Sequence, residues 1–237
     1  MMMNEYQRMS SVKKVDNYGV RFHRYRMILG ATNFNIPELE TEVKKDYIEW
    51  KKSPDTYVLD PDYIFITFCV NIRSGTKQEW DFLFDRYSTT TSIPEKDNIL
   101  FALTCTKDPA LFSHYLNATF SDKDSKIRKQ DIQKVFSNVV GNTVGYKLAK
   151  DYLFTNIEKI NNLFGEENKN LASFMSDICR YVVTEEEMKE VQEFIAKNDK
   201  YFKSSKIIID QGVARMKDAV QWHKDHDKEI SECYPKE

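Results

Sequence analysis

Trp80, Leu83, Phe84 and Tyr87 recur at i, i+3, i+4 and i+7, the spacing that sets four large apolar side chains on one face of an α-helix. Glu79, Asp81 and Arg86 lie off this stripe and are expected on the wet side. A second stripe, Gly145, Ala149, Leu153, Ile157, Ile160 and Phe164, is small in its N-terminal half and bulky in its C-terminal half. A neighbouring helix can therefore cross closely near Gly145 and splay toward Phe164. Each large residue buried on such a stripe contributes roughly 1.5 to 3 kcal/mol, so these faces need partners and must pack on other helices.

The rest of the chain agrees with a helical reading. It has only 7 Gly and 6 Pro in 237 residues, and no alternating strand pattern competes. The longest apolar run, Tyr63 to Val70, is too short to span a bilayer, which takes about 20 apolar residues, and reads as a buried helix. Start signals fall between the stripes. Ser92-x-x-Glu95 and Thr184-x-x-Glu187 fit the capping box, in which hydroxyl and carboxylate satisfy orphan amides reciprocally. Asp108-Pro109 fits an N-cap followed by proline at the first helical position. Further helices are predicted at about 20–30, 38–51, 61–73, 130–140, 171–182 and 206–230. Pro54-Asp55, Asp60-Pro61, Ser88 to Ser92 and Lys203 to Ser205 read as connectors. Short helices joined by short loops make successive antiparallel hairpins, which stack as a bundle or as a solenoid. No heptad runs through the chain, so the expectation is an all-α, HEAT-like solenoid forming one domain over residues 1–237, the first 20 or so of them disordered.

Charge and chemistry exclude several functions. The net charge is −2 with acids and bases interspersed, so no basic face offers a nucleic-acid footprint. His223 and His226, three apart on a helix, could turn toward one metal, yet nothing nearby supplies a clear third ligand. His223 instead continues the stripe of Val213, Met216 and Val220, and reads as a partly buried core histidine. His23 and His114 stand alone and read as structural. Cys69, Cys105, Cys179 and Cys233 lack any metal-ligand spacing. Asn117-Ala-Thr119 is a glycosylation sequon, meaningful only in the secretory pathway and on exposed surface. No metal, cofactor or catalytic residue is assigned.

Several motifs then occur in order: Cys69; Glu79-Trp80-Asp81-Phe82; Tyr87; Glu95-Lys96-Asp97; Ala102-Leu103-Thr104-Cys105-Thr106-Lys107; Tyr115-Leu116; Ile127-Arg128-Lys129-Gln130-Asp131; Asn138 to Gly141; and Gly145 with Leu148-Ala149, Asp151-Tyr152 and Asn156. Together they resemble the C-terminal domain of the aminopeptidase N family of zinc metallopeptidases, which includes the endoplasmic-reticulum and puromycin-sensitive aminopeptidases. Thr184 to Glu187 and the final helix with Ala219, Trp222 and Lys224 resemble the family's closing helices; before Asp60 only Leu29-Gly30 and the Trp50 helix look familiar.

The resemblance implies a curved stack of helix hairpins that closes over a peptidase domain and encloses peptide. That peptidase domain, in cis, and peptides are the partners it implies. In whole enzymes the chemistry uses zinc held by His-Glu-x-x-His and a distant Glu, with a Gly-x-Met-Glu-Asn segment reading the free amino terminus. Neither motif occurs here. Without a zinc-bound water and its general base there is no route to amide hydrolysis by that mechanism, so the chain alone is expected to be inactive. On a concave face, Arg128, Lys129, Gln130, Asp131 and Asn138 could hold peptide; alternatively Asp131 assists the helix start, Asn138 closes its end and the basic pair is solvated. Cys69 and Cys105 sit where extracellular relatives form a disulfide. The alternative is two buried thiols in a reduced cytosol. A second cysteine pair that those relatives carry near Leu29-Gly30 is lacking here. Residues 1–8 offer no apolar stretch for a signal peptide. Localisation follows the whole protein: an extracellular or membrane-associated ectodomain if the chain belongs to a full-length enzyme, cytoplasmic if it is complete. The competing function is a free-standing HEAT-like protein-binding scaffold.

Overall fold

The computed structural model describes residues 18–33, 37–121, 125–165 and 169–233, with side chains 31–33 and 37–39 outside the description. The expected disorder of the first residues lies almost wholly outside them. Among the described residues the fold is all-α, with eleven α-helices and no strand. None of these helices is long and apolar enough to cross a membrane. The chain divides into two compact units, residues 1–107 and 108–237.

In the first unit, α1 (Tyr18–Asn33), α2 (Pro37–Lys52), α4 (Lys77–Thr89) and α5 (Ile93–Ala102) all pack on α3 (Ile64–Ser74). The sequence of α3, Ile-Phe-Ile-Thr-Phe-Cys-Val-Asn-Ile, is apolar on almost every side, and such a helix must be surrounded. Ile66, Phe68, Cys69, Val70 and Ile72 are accordingly buried. The Trp80 stripe on α4 is buried as predicted, and the Trp80 indole donates to the Leu103 carbonyl at 3.1 Å.

Arg86 departs from the expectation of a wet side, being only 9 % exposed. It lies three residues past Leu83 at the edge of the stripe, and its guanidinium is neutralised by Glu95 at 2.7 Å and Asp55 at 2.6 Å. These partners hold the Arg86 pKa above its ordinary value against the opposing effect of burial. This pairing also changes the capping box. Ser92 accepts from the Glu95 amide at 3.3 Å, but the Glu95 carboxylate is taken by Arg86 and the Thr90 hydroxyl, and the Ser92 amide donates to Thr90 instead. Cys69 on α3 is bonded to Cys105, in the 3₁₀ turn Leu103–Cys105 that follows α5, with Cα atoms 5.3 Å apart.

In the second unit, α6 (Pro109–Thr119), α7 (Ile132–Val140), α8 (Gly145–Phe164), α9 (Asn170–Cys179), α10 (Glu185–Lys197) and α11 (Lys206–Cys233) follow in order. Here α9 is the central helix and touches α7, α8 and α11. Its Phe174 meets Phe136 at 4.8 Å and Phe120 at 5.6 Å between ring centroids, and all three rings are buried. The Asp108 cap forms as predicted, accepting from the Ala110 amide at 2.8 Å. A Cβ at Gly145 would lie 2.5 Å from the Val139 carbonyl and 3.0 Å from Phe112, so the close crossing read from the stripe is present. At Asn156 the backbone of α8 leaves helical geometry, where the Asn156 amide bonds the Tyr152 carbonyl one turn back and competes with the ladder.

The second capping box behaves like the first. Thr184 accepts from the Glu187 amide at 3.2 Å, whereas the Glu187 carboxylate receives Lys150 at 2.8 Å and the Tyr146 hydroxyl at 2.9 Å. Boundaries differ modestly from the sequence reading: α3 begins after a turn at Asp60 to Tyr63, α9 stops at Cys179, and Lys203–Ser205 is a 3₁₀ turn rather than an open connector.

Candidate functional site

The polar stretch singled out in the sequence lies in the second unit. Ile127 is buried and anchors it, Lys129–Asp131 form a 3₁₀ turn, and α7 follows. Arg128 Nε donates to the buried carboxylate of Asp131 at 2.6 Å. Asp131 therefore makes no side-chain cap for α7; its charge is spent on Arg128. Lys129 Nζ stands 5.5 Å from the centre of the Phe164 ring, a cation–π distance, while Gln130 is exposed. Asn138 does not close α7, which runs on to Val140 and is capped by Gly141. Its amide nitrogen is buried and finds no hydrogen-bond partner among the described residues. The structure thus binds Arg128 to Asp131 and leaves Lys129 and Gln130 exposed to water.

Sequence inspection missed a polar cluster that α7 makes with α9. Asp177 accepts from Ser137 at 2.5 Å and from Gln133 at 2.8 Å. Burial pushes the Asp177 carboxyl above its usual range, against the opposing pull of these donors and of Arg180 and Arg215. Arg215 of α11 donates to the Ser176 hydroxyl at 2.7 Å. Gln133 and Ser137 are spaced i, i+4 on an amphipathic helix that also carries Lys134 and Asn138, so their spacing alone was a weak signal; Asp177 lies 40 residues from Ser137 and gave none. Such a cluster can orient and hold hydrogen-bonding groups. It contains no histidine to activate the serine.

Each unit also carries a surface groove. That of the first unit, about 620 Å³, is lined by Lys44, Tyr47, Lys51, Lys52, Asn71 and Glu79 among others. Its lysines are paired: Lys51 with Glu79 at 2.8 Å, Lys52 with Glu49 at 2.7 Å and Lys44 with Glu40 at 3.4 Å. Tyr47 donates to Glu79 at 3.1 Å, and burial, reinforced by that carboxylate, raises its phenol pKa. The groove of the second unit, about 370 Å³, lies between the start of α10 and α11 and includes Glu185, His223, Lys224 and Asp227. His223 is half-buried with Nδ1 2.7 Å from Asp227, and His226 sits against Trp222 at 5.1 Å. His23 and His114 are exposed. Among the described residues no group of three or more His, Cys, Asp and Glu side chains could hold a metal ion, so the residues present do not fit a zinc centre. Cys179 is buried, its thiol pushed up to about 11 by desolvation, and Cys233 is exposed.

The described residues thus form an all-helical domain whose polar clusters bring hydrogen-bonding groups from different helices together. A family model described as "ERAP1-like C-terminal domain" matches residues 3–218, and the chain belongs to that family. It is similar to aminopeptidase N of Canis lupus familiaris, 24 % identical over 215 residues, which cover 90 % of this chain and 22 % of that protein. Aminopeptidase N of Homo sapiens is 25 % identical over 216 residues, 91 % of this chain and 22 % of the relative. Aminopeptidase Ey of Gallus gallus is 25 % identical over 211 residues, 89 % and 21 % respectively. The chain thus spans about a fifth of the length of the curated relatives it matches.

Proposed function

We propose that this domain works beside a zinc peptidase domain in cis and that its role is to enclose and hold peptide while the metal domain removes the N-terminal residue. The observation that carries the reading is the match of a C-terminal-domain family over residues 3–218, by a chain that spans 22 % of relatives named aminopeptidase N. The zinc and its general base would belong to the other domain; this chain would contribute surface and hydrogen-bonding groups. Lys129 and Gln130, both exposed beside the Arg128–Asp131 pair, are the side chains of that stretch open to a peptide, Gln130 being the one that can pair with an amide as donor and acceptor.

An uncovered apolar face supports the same reading. Tyr18, Phe22 and Tyr25 follow at i, i+4 and i+7 on α1; Tyr18 is 81 % and Phe22 52 % exposed, and their rings stack at 6.3 Å. Aromatic stripes of this kind mark interaction surfaces, and the peptidase domain in cis is the occupant we assign, since most of the relatives' length lies outside this chain. A free-standing scaffold would carry charged side chains there. Reading the natural transcript upstream of Met1 tests the proposal. An in-frame upstream segment encoding His-Glu-x-x-His is expected; a stop codon directly upstream, with no such segment in any transcript, would overturn it and leave the scaffold.

A further inference from the structure

We infer that Asn117 is a modification site and carries an asparagine-linked oligosaccharide. Asn117-Ala118-Thr119 is the only Asn-x-Ser/Thr triplet in the 237 residues. It falls in the last turn of α6, whose inner face is Leu111, Phe112, Tyr115, Leu116 and Thr119. Asn117 points the other way with His114, into water, so a bulky glycan there displaces no core side chain.

The folded helix also fixes when the sugar must arrive. Thr119 is fully buried, and its hydroxyl donates to the Tyr115 carbonyl at 2.7 Å. A transferase that reads the hydroxyl of the triplet cannot reach it in that state, so transfer precedes the closing of α6. In the step itself a bond forms between Asn117 Nδ2 and the anomeric carbon of a lipid-diphosphate-linked oligosaccharide. The bond from that carbon to the diphosphate oxygen breaks, the amide gives up one proton, and the lipid diphosphate leaves.

A second observation, in the other unit, points to the same compartment. Cys69 and Cys105 are joined inside the first unit, and Cys69 is buried there. Disulfides of this kind persist where the environment is oxidising, which is the route on which asparagine-linked transfer takes place. The inference does not depend on peptide binding or on a peptidase domain.

The test is site-specific mass spectrometry of the natural protein recovered from its own cells, with and without peptide N-glycosidase. The peptide spanning Asn117 should appear only after the enzyme, with Asn117 converted to Asp. Expressed through the secretory route, N117Q should migrate one glycan lighter than the parent, whereas T119S, which keeps the triplet, should not. Recovery of the unmodified Asn117 peptide from untreated natural protein, or a mobility unchanged by N117Q, would overturn the assignment. Failure of the peptidase reading would leave every one of these outcomes untouched.

Discussion

The two units solve the same problem by different means. Each surrounds one central helix, the nearly all-apolar α3 in the first and, in the second, α9, which buries Leu171, Phe174, Met175 and Ile178 but also carries Ser176 and Asp177. The first adds a covalent link, Cys69–Cys105, that ties its central helix to the turn after α5. The second adds no disulfide; its two cysteines are free thiols, one buried and one exposed. Both units carry an aromatic cluster, Tyr47, Trp50 and Phe68 in the first and Phe120, Phe136 and Phe174 in the second, and a buried ion pair, Arg86–Glu95 and Lys150–Glu187 respectively. The disulfide is therefore the restraint that sets the first unit apart. The units should differ most in their response to agents that act on only one kind of restraint.

The largest effect is expected from F174A, which empties the aromatic cluster and should cost about 3 to 5 kcal/mol by the usual penalty for deleting a core phenylalanine. Denaturant titration monitored in the second unit checks it; a loss below about 1 kcal/mol would mean that the cluster is not the unit's mainstay. Next comes the double variant C69A/C105A. In the chain-entropy account, closing a loop of 36-residue separation stabilises by roughly 3 to 4 kcal/mol. Hydrogen exchange should show α3 and α5 losing protection in that variant while α9 keeps its own. Equal losses in both would break the contrast between the units.

The smallest expected effect concerns pH. The folded Asp177 carboxyl titrates above its ordinary value of 3.8, so the native state binds more protons than the unfolded chain between that value and the raised one. Stability from this group is therefore complete below 3.8 and is lost as pH rises through the folded pKa. The D177N variant, which keeps an acceptor for Ser137, should flatten that fall when stability is measured across the window. A parent chain whose stability rises more steeply than the variant's over the same range would show that the donors and arginines outweigh burial.

Much of this was legible beforehand because it is local. The Trp80 stripe, the small Gly145 end of α8 and the hydroxyl caps of Ser92, Asp108 and Thr184 all depend on residues within a turn or two. What escaped is long-range. Glu95 and Glu187 left their capping boxes because Arg86 and Lys150, buried by neighbouring helices, require a carboxylate more strongly than an exposed helix start does. The Arg86 position looked wet because helical spacing alone does not reveal a partner on the next helix. Asp177 joined Gln133 and Ser137 for the same reason: no pattern within one helix announces a bond across 40 residues.

The domain's proposed place beside a zinc peptidase is tested most directly by capturing the natural polypeptide with an antibody to residues 108–233 and measuring release of the N-terminal amino acid from a peptide, with and without a zinc chelator. The account predicts chelator-sensitive release by a polypeptide of roughly four times 28.0 kDa, the ratio implied by relatives of which 216 matched residues make up 22 %. A captured polypeptide of 28.0 kDa that releases nothing would contradict it.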